Sequence, residues 1–218
     1  MSTLVVSTEA ELRSALHSAY DSQAPVYLAG VAPGRVPPGE GLVLDIATRG
    51  VDINTEGCHV DDLVFCGAVT ATLAAGEPWR DFVALAVQSG WGGVEALAGV
   101  PGTVAEVVTA NPSRFGQSPA DAVSRVRTWD RATDAQRTFA MVECEFEPGS
   151  SRFSRETLPD GTQRYVVIEA ALLLKQADIT PPLHDEALVA ALGIEPGERV
   201  PLGRVHDLAL GAAEADDG

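Results

Sequence analysis

The feature that most constrains the fold is the apolar run from Tyr165 to Leu174, the longest in the chain. It is rich in Val, Ile, Leu and Ala, and it is much shorter than the roughly 20 apolar residues of a membrane-spanning helix. A short apolar run of this composition is typical of a strand buried on both faces. We therefore predict a central β-strand here and no membrane-spanning segment.

Helices and strands are both predicted on either side of this strand. Ser7 or Thr8 can cap a helix with an apolar stripe, and Pro78 and Thr103 are well placed to begin two more. The predicted helices cover 9–19, 79–89, 103–110, 183–192 and 202–210, and the other predicted strands cover 4–6, 26–28, 42–46, 51–53, 68–74, 122–128 and 136–141, with short strands around 59–65. Because the two types of element do not alternate strictly, the fold class is α+β.

Charge and cysteine content limit the partners of the chain. The net charge of −16 and the pI of about 4.5 describe an acidic surface that repels phosphate backbones, so nucleic acid is excluded as a partner. The acidic end, residues 214–218, is predicted to be disordered. The odd number of cysteines (Cys58, Cys66 and Cys144) and the lack of a basic, apolar leader favour free thiols in the cytoplasm.

A metal site is not predicted. The one cluster of metal-ligand residue types is His59 with Cys58, Asp61 and Asp62, and no second ligand pair completes it. We interpret that cluster as an exposed turn.

Several segments resemble one family of flavoenzymes. Residues 93–104, G-V-E-A-L-A-G-V-P-G-T-V, are similar to the G-L-E-x-L-x-G-I-P-G-T-V segment of the UDP-N-acetylenolpyruvoylglucosamine reductases, the MurB family. Residues 41–50, 75–83, 143–146 and 189–210 resemble further family segments in the same order. The resemblance implies a two-lobed, FAD-binding α+β fold of the vanillyl-alcohol-oxidase type, without the third MurB domain. We accordingly divide the chain into an N-terminal lobe (1–66), a second lobe (67–178) and a helical C-terminal segment (179–218).

The flavin-binding positions of the family are only partly present. Its G-G-G-S-N phosphate loop corresponds to 29–33, where two glycine positions carry side chains and Pro33 has no N–H. The resemblance implies flavin contacts at Pro101, Gly102, Thr103, Val104, Asn111 and Gly116. From the altered loop we expect that the protein uses no cofactor, with FAD as the alternative.

The catalytic positions of the family are also altered. The position of its catalytic arginine is Gly149, and its other two catalytic residues lie in the third domain, before which the chain stops. We therefore expect no MurB reductase activity.

Other residues are candidates for chemistry in the cleft that a flavin would leave. Arg114 and Arg152 could bind an anionic group, and Glu143 and Glu147 could transfer protons. Aromatic residues that could line a substrate pocket are Trp79, Trp91 and Phe115. The alternative for each charged residue is a solvated surface group, and for the tryptophans it is packing between helix and loop.

Three functions remain open at this point. The preferred one is a flavin-independent small-molecule enzyme of specialised metabolism that performs a cyclisation, isomerisation or elimination. The second is an FAD-binding oxidoreductase, and the third is a non-catalytic binding or regulatory module. Absence of a whole domain would expose surface that a homodimer could cover.

Overall fold

The structure is a computed structural model that describes residues 2–30, 41–55, 59–60, 64–65 and 67–216. Its helices are α1 (Glu9–Asp21), α2 (Trp79–Gln88), α3 (Val104–Ala110), α4 (Arg152–Arg155), α5 (Glu186–Leu192) and α6 (Leu202–Asp216). Its strands are β1 (Ser2–Val6), β2 (Val26–Leu28), β3 (Leu42–Ile46), β4 (Val51–Asn54), β5 (His59–Val60), β6 (Val64–Phe65), β7 (Ala68–Ala74), β8 (Trp91–Gly92), β9 (Val123–Asp130), β10 (Ala135–Ala140) and β11 (Tyr165–Gln176).

The first lobe is a small parallel sheet covered by one helix. Strands β1, β3 and β2 pair in that order, and both pairings are parallel. Helix α1 begins at Thr8, whose side chain accepts from the Glu11 N–H while the Glu11 carboxylate accepts from Thr8 N–H, a capping box. Leu12 and Leu16 on the inner face of α1 are almost fully buried against the sheet.

The second lobe is built on a larger antiparallel sheet. Its strands follow the order β10-β9-β11-β7-β4, with β8 pairing at the end of β11. Strand β11 lies at the centre, so the prediction of a central strand from the apolar run is confirmed. Strand β4 lies within residues 1–66 but pairs with β7, so the predicted first lobe includes one strand of the second sheet.

The two lobes share a core along the large sheet. Trp129, Val166 and Ile168 of β9 and β11 pack into the cluster that contains Leu12 and Leu44 of the first lobe. The opposite face of the sheet packs against α2 and α3. Successive side chains of β11 therefore point alternately into the two clusters. This explains why almost all residues of the strand are apolar.

The C-terminal segment is helical, as predicted, but longer. Helix α6 continues through Glu214 to Asp216, so the prediction that the acidic end is disordered is wrong for these residues. Ala209 and Ala213 are buried, and this anchors the last turns of the helix. Within the described ranges, no helix has the length and apolar character needed to cross a membrane.

Candidate functional site

The candidate site is the crevice at the carboxyl edge of the parallel sheet. Strands β1, β2 and β3 all end at this edge because they run in the same direction. The segments that follow them are Ser7–Thr8, Ala29–Gly30 and Ala47–Gly50. Ligands of open parallel sheets bind outside the carboxyl ends of the strands. The edge faces the large sheet, so both lobes contribute to the crevice.

A cavity of about 490 Å³ lies in the part of the crevice near β1 and β3. Its volume is within the roughly 300–1,000 Å³ of small-molecule sites. The residues around it are Ser7, Thr8, Glu9, Thr48, Arg49, Gly50, Val51, Asp52, Thr72, Ala74, Arg127, Ile168 and Glu169.

An ion-pair clamp closes one side of this cavity. Arg127 on β9 donates to both carboxylate oxygens of Glu9, at 2.7 and 2.9 Å, and to Glu169 on β11 at 2.8 Å. The hydrogen bond from Arg127 is the main cause that lowers the pKa of the Glu9 carboxyl. The clamp joins the first turn of α1 to the large sheet. The guanidinium of Arg127 is paired with protein carboxylates on both sides.

A turn of the second lobe holds the middle of the crevice together. Gly76 N–H donates to the Thr48 hydroxyl at 3.1 Å, and Gly50 N–H donates to Glu77 Oε2 at 3.0 Å. The Arg49 guanidinium donates to the Gly76 carbonyl. These bonds fix the segment after β3 against the turn that precedes α2.

The two predicted flavin segments meet in the part of the crevice near β2. Gly30 and Gly102 both have left-handed backbone conformations, with φ of 81° and 103°. Between them lies the carboxylate of Glu106 on α3: a side-chain carbon at Gly30 would overlap Oε1, and one at Gly102 would overlap Oε2. Both positions therefore require glycine for the approach of an anion as well as for φ.

Among the described residues, a backbone N–H group of the same helix turn donates to the Glu106 carboxylate. Thr103 N–H donates to Oε2 at 2.8 Å, and the Thr103 hydroxyl accepts from Glu106 N–H, which makes a capping box. The next two N–H groups of α3 donate to backbone carbonyls, Val104 to Glu77 and Ala105 to Ala75, both at 2.9 Å. Thr103 N–H is thus released by a side-chain rotation alone, whereas the other two are fixed by the fold.

Sequence reasoning did not identify Glu106 or the Arg127 clamp. A signal for Glu106 was present, since T-x-x-E at 103–106 is a capping-box pattern. No local pattern joins Arg127 to Glu9, because strand pairing and lobe packing bring them together.

Two other predicted flavin contacts lie beyond the end of α3. Asn111 is buried, with its side-chain N–H donating to the Glu147 carbonyl at 2.8 Å and its side-chain oxygen accepting from Ala120 N–H at 3.1 Å. Gly116 lies beside the Asp185 side chain. Asn111 therefore ties α3 to neighbouring loops, and flavin contacts at both positions stay predictions. Of the remaining positions, Pro101 is exposed and Val104 is buried. Val31, Ala32 and Pro33 of the predicted phosphate loop lie outside the described residues.

Two of the candidate catalytic residues, Arg152 and Glu147, take part in ion pairs. Arg152 pairs with Glu145 and, at 3.4 Å, with Glu156, and its guanidinium lies over the Phe139 ring. Glu147 is exposed and lies 3.7 Å from the Arg155 guanidinium. The same arginine also pairs with Glu145, so Arg152 and Glu147 share one surface network.

The remaining two candidates, Glu143 and Arg114, lie in turns. Glu143 is exposed and accepts from Ala140 N–H at 2.9 Å in its own turn. Arg114 lies in a tight turn, where its backbone pairs with Gln117. Catalytic roles for the four charged candidates stay predictions.

The three aromatic candidates differ in burial. Trp79 is fully buried, and its indole N–H donates to the Leu97 carbonyl at 3.2 Å, which fits the alternative of packing between helix and loop. Trp91 is half-buried in β8. Phe115 lines a separate cavity of about 250 Å³ beside Leu183 and His184.

Metal and thiol chemistry have little support among the described side chains. Within them no group of three His, Cys, Asp or Glu residues is arranged to hold a metal ion. The side chains of Cys58, His59, Asp61 and Asp62 lie outside that set. Burial raises the pKa of the Cys144 thiol to about 12, so this cysteine is a core residue that is protonated at neutral pH.

Comparison with solved structures defines the class of fold. A VAO-type flavoprotein from Myceliophthora thermophila aligns with 80% of the chain and 32% of its own, at a TM-score of 0.54 and 16% identity. The UDP-N-acetylenolpyruvylglucosamine reductase (MurB) of Thermus caldophilus aligns with 98% of the chain and 61% of its own, at a TM-score of 0.59 and 19% identity. The chain therefore has the α+β fold of the VAO-type flavoproteins and MurB, as predicted.

Sequence comparison narrows the relationship to MurB. The UDP-N-acetylenolpyruvoylglucosamine reductase of Cutibacterium acnes is 37% identical over 171 residues, which cover 78% of this chain and 42% of that protein. The reductase of Streptomyces avermitilis is 34% identical over 212 residues, which cover 95% of this chain and 53% of that protein. No protein-family model matches the chain. The chain is thus a relative of the MurB reductases that spans about half the length of these curated proteins.

One expectation has to be corrected. We expected no cofactor because the predicted phosphate loop carries side chains at two glycine positions and a proline at its end, but the relatives are reductases and the fold is shared with a VAO-type flavoprotein. These findings contradict the expectation and point to FAD. The loss of MurB activity that we expected stays untested.

Proposed function

We propose that this chain binds FAD in the crevice at the carboxyl edge of the parallel sheet and acts as a flavin-dependent oxidoreductase. The observation that carries the proposal is the meeting of Gly30 and Gly102 around a single anionic group. The resemblance to MurB assigns both positions to the flavin, although they are far apart in sequence. The relationship to the MurB reductases supports the same cofactor.

The residues in the crevice fit the phosphate part of a flavin. Phosphate groups bind where backbone turns leave no Cβ in the way and offer N–H donors. Gly30 and Gly102 provide the open approach, and Thr103 N–H provides a donor. The Glu106 carboxylate already occupies this position, where Thr103 N–H donates to it, and it has to rotate away before a phosphate can take its place.

The remaining residues of the crevice would position the cofactor. A flavin held here would supply hydride-transfer chemistry, and the protein would supply binding and orientation. The cavity of about 490 Å³ offers space beside β1 and β3, next to the fixed segment that contains Thr48 and Arg49. The Arg127 clamp joins the two lobes across this space.

Substitution of one glycine tests the proposal. Gly30→Ala places a methyl group where the anion lies, so FAD binding measured by quenching of flavin fluorescence should be lost or weakened at least about tenfold. Gly161→Ala is the matched control: Gly161 has a similar φ of 79°, but a Cβ there meets nothing within 4 Å. The control should bind FAD like the unmodified protein.

If FAD binding were weakened equally in both variants, backbone strain would explain the loss. The result for Gly30→Ala would then no longer support the proposed site. Tight FAD binding by Gly30→Ala would show that the phosphates lie elsewhere.

A further inference from the structure

We infer that Glu106 is a specificity-determining residue that weakens the binding of the flavin phosphates, so that the protein holds FAD loosely and exchangeably. This inference rests on the proposed FAD function. It concerns how strongly that site discriminates between flavins with and without phosphate groups.

The Glu106 carboxylate occupies the space that a flavin phosphate would need. Its Oε1 lies against Gly30, and its Oε2 lies against Gly102. A phosphate oxygen that approaches these two glycines would lie in the same space. The carboxylate and the phosphate therefore exclude each other.

The backbone N–H groups that could donate to a phosphate are already hydrogen-bonded. The first turn of α3 has four backbone N–H groups, and the fold already engages those of Val104 and Ala105 with carbonyls. The Thr103 N–H is held by Glu106 Oε2, and the Glu106 N–H is held by the Thr103 hydroxyl. A phosphate gains a donor here only by breaking the capping box, which stabilises the start of the helix.

The negative charge of Glu106 also opposes the binding of a phosphate. A displaced Glu106 stays on the same helix turn, and its side chain is only half-buried, so the carboxylate remains close to the bound phosphate. The displaced carboxylate and the bound phosphate both carry negative charge, and like charges a few ångström apart repel each other. The isoalloxazine and ribityl parts of a flavin carry no such charge and escape the repulsion.

The test compares FAD with riboflavin, which has no phosphate. Glu106→Gln keeps the size of the side chain and an oxygen that can accept from Thr103 N–H, and it removes the charge. We expect this variant to bind FAD at least about tenfold more tightly than the unmodified protein, since repulsion of unit charges about 4 Å apart near a protein surface exceeds RT several-fold. Riboflavin affinity, measured by isothermal titration calorimetry, should stay unchanged.

Two further variants control the experiment. Glu186→Gln makes the same substitution in the first turn of α5, at an exposed position that does not line the proposed flavin cavity, and should leave FAD affinity unchanged. Glu106→Ala, checked by its thermal unfolding curve, should also bind FAD more tightly, and it separates loss of charge from any new contact of the amide.

The outcomes distinguish the inference from the proposed function. Equal FAD affinities of the Glu106 variants and the unmodified protein would overturn the inference and leave the FAD function standing. An equal gain for riboflavin would also overturn it, because the effect would not concern the phosphates. If none of the proteins bound either flavin, the proposed function would fail and the inference with it.

Discussion

At the residue scale, the carboxylate of Glu95 is fully buried. It accepts hydrogen bonds from Gly93 N–H at 2.7 Å and from the Gln117 side-chain amide at 3.0 Å. The same Gln117 accepts from Ala96 N–H at 2.8 Å. A buried polar group is tolerated when its partners are satisfied, so this set of bonds fixes the glycine-rich segment before α3.

Removal of this carboxylate should destabilise the protein. Glu95→Ala leaves Gly93 N–H and the Gln117 amide without their acceptor, which costs about 1–3 kcal/mol per unsatisfied buried group. We expect the free energy of unfolding in urea to fall by an amount in this range or above it. Glu186→Ala, at an exposed position on α5, should change it by less than about 0.5 kcal/mol. A Glu95→Ala protein as stable as the parent would contradict the role assigned to this residue.

At the element scale, local signals predicted most helices and strands. Thr8 and Thr103 begin α1 and α3 because their side chains cap the first turn, and both starts were predicted from sequence. Strand β11 follows from its apolar run. Strand β4 was also predicted, but its pairing with β7 was not, because pairing depends on the other strand and not on local composition.

The cap of α1 allows a direct test of one such signal. Thr8→Ala removes the side-chain acceptor of Glu11 N–H, so the protein should lose about 0.5–2 kcal/mol of stability. The measurement is urea unfolding followed by far-ultraviolet circular dichroism. Ser14→Ala on the exposed face of the same helix is the control, and it should leave stability unchanged or slightly raised. Equal losses in both variants would argue against the capping role.

At the scale of the whole molecule, the fold was predicted from the sequence, and Gly102 and Thr103 of the candidate crevice were predicted as flavin contacts. The family resemblance rests on segments that also form turns and caps, and the lobe boundaries drawn from it stay a prediction. The Arg127 clamp and the position of the Glu106 carboxylate beside Gly30 depend on the way in which the lobes pack, which the local pattern at 103–106 does not contain. The expectation that FAD is absent gave the altered loop at 29–33 more weight than the flavin contacts predicted at 101–104.

A second contact between the lobes should respond to pH. The His17 ring on α1 hydrogen-bonds to Asp134 in the turn after β9, and this bond is the main cause that raises the pKa of His17. Asp21 lies 3.6 Å from the other ring nitrogen, and Trp129 N–H donates to Asp134 at 3.1 Å. A raised pKa means that the folded state favours the protonated ring.

The direction of the pH effect follows from this shift. Stabilisation from His17 is complete below the ordinary histidine pKa of about 6.5 and is lost as the pH rises through the raised pKa of the folded state. Urea unfolding at a series of pH values should therefore show a decrease in stability from about pH 6.5 upwards. His17→Gln and Asp134→Asn should both flatten that part of the profile. An unchanged slope in both variants would assign the pH dependence to other groups.

The central claim is that this relative of the MurB reductases holds FAD in the crevice at the carboxyl edge of its parallel sheet. The most direct measurement is the visible absorption spectrum of the purified protein during titration with FAD. The account predicts a perturbed flavin band that saturates at one FAD per chain. A spectrum equal to the sum of the separate components at every FAD concentration would contradict it.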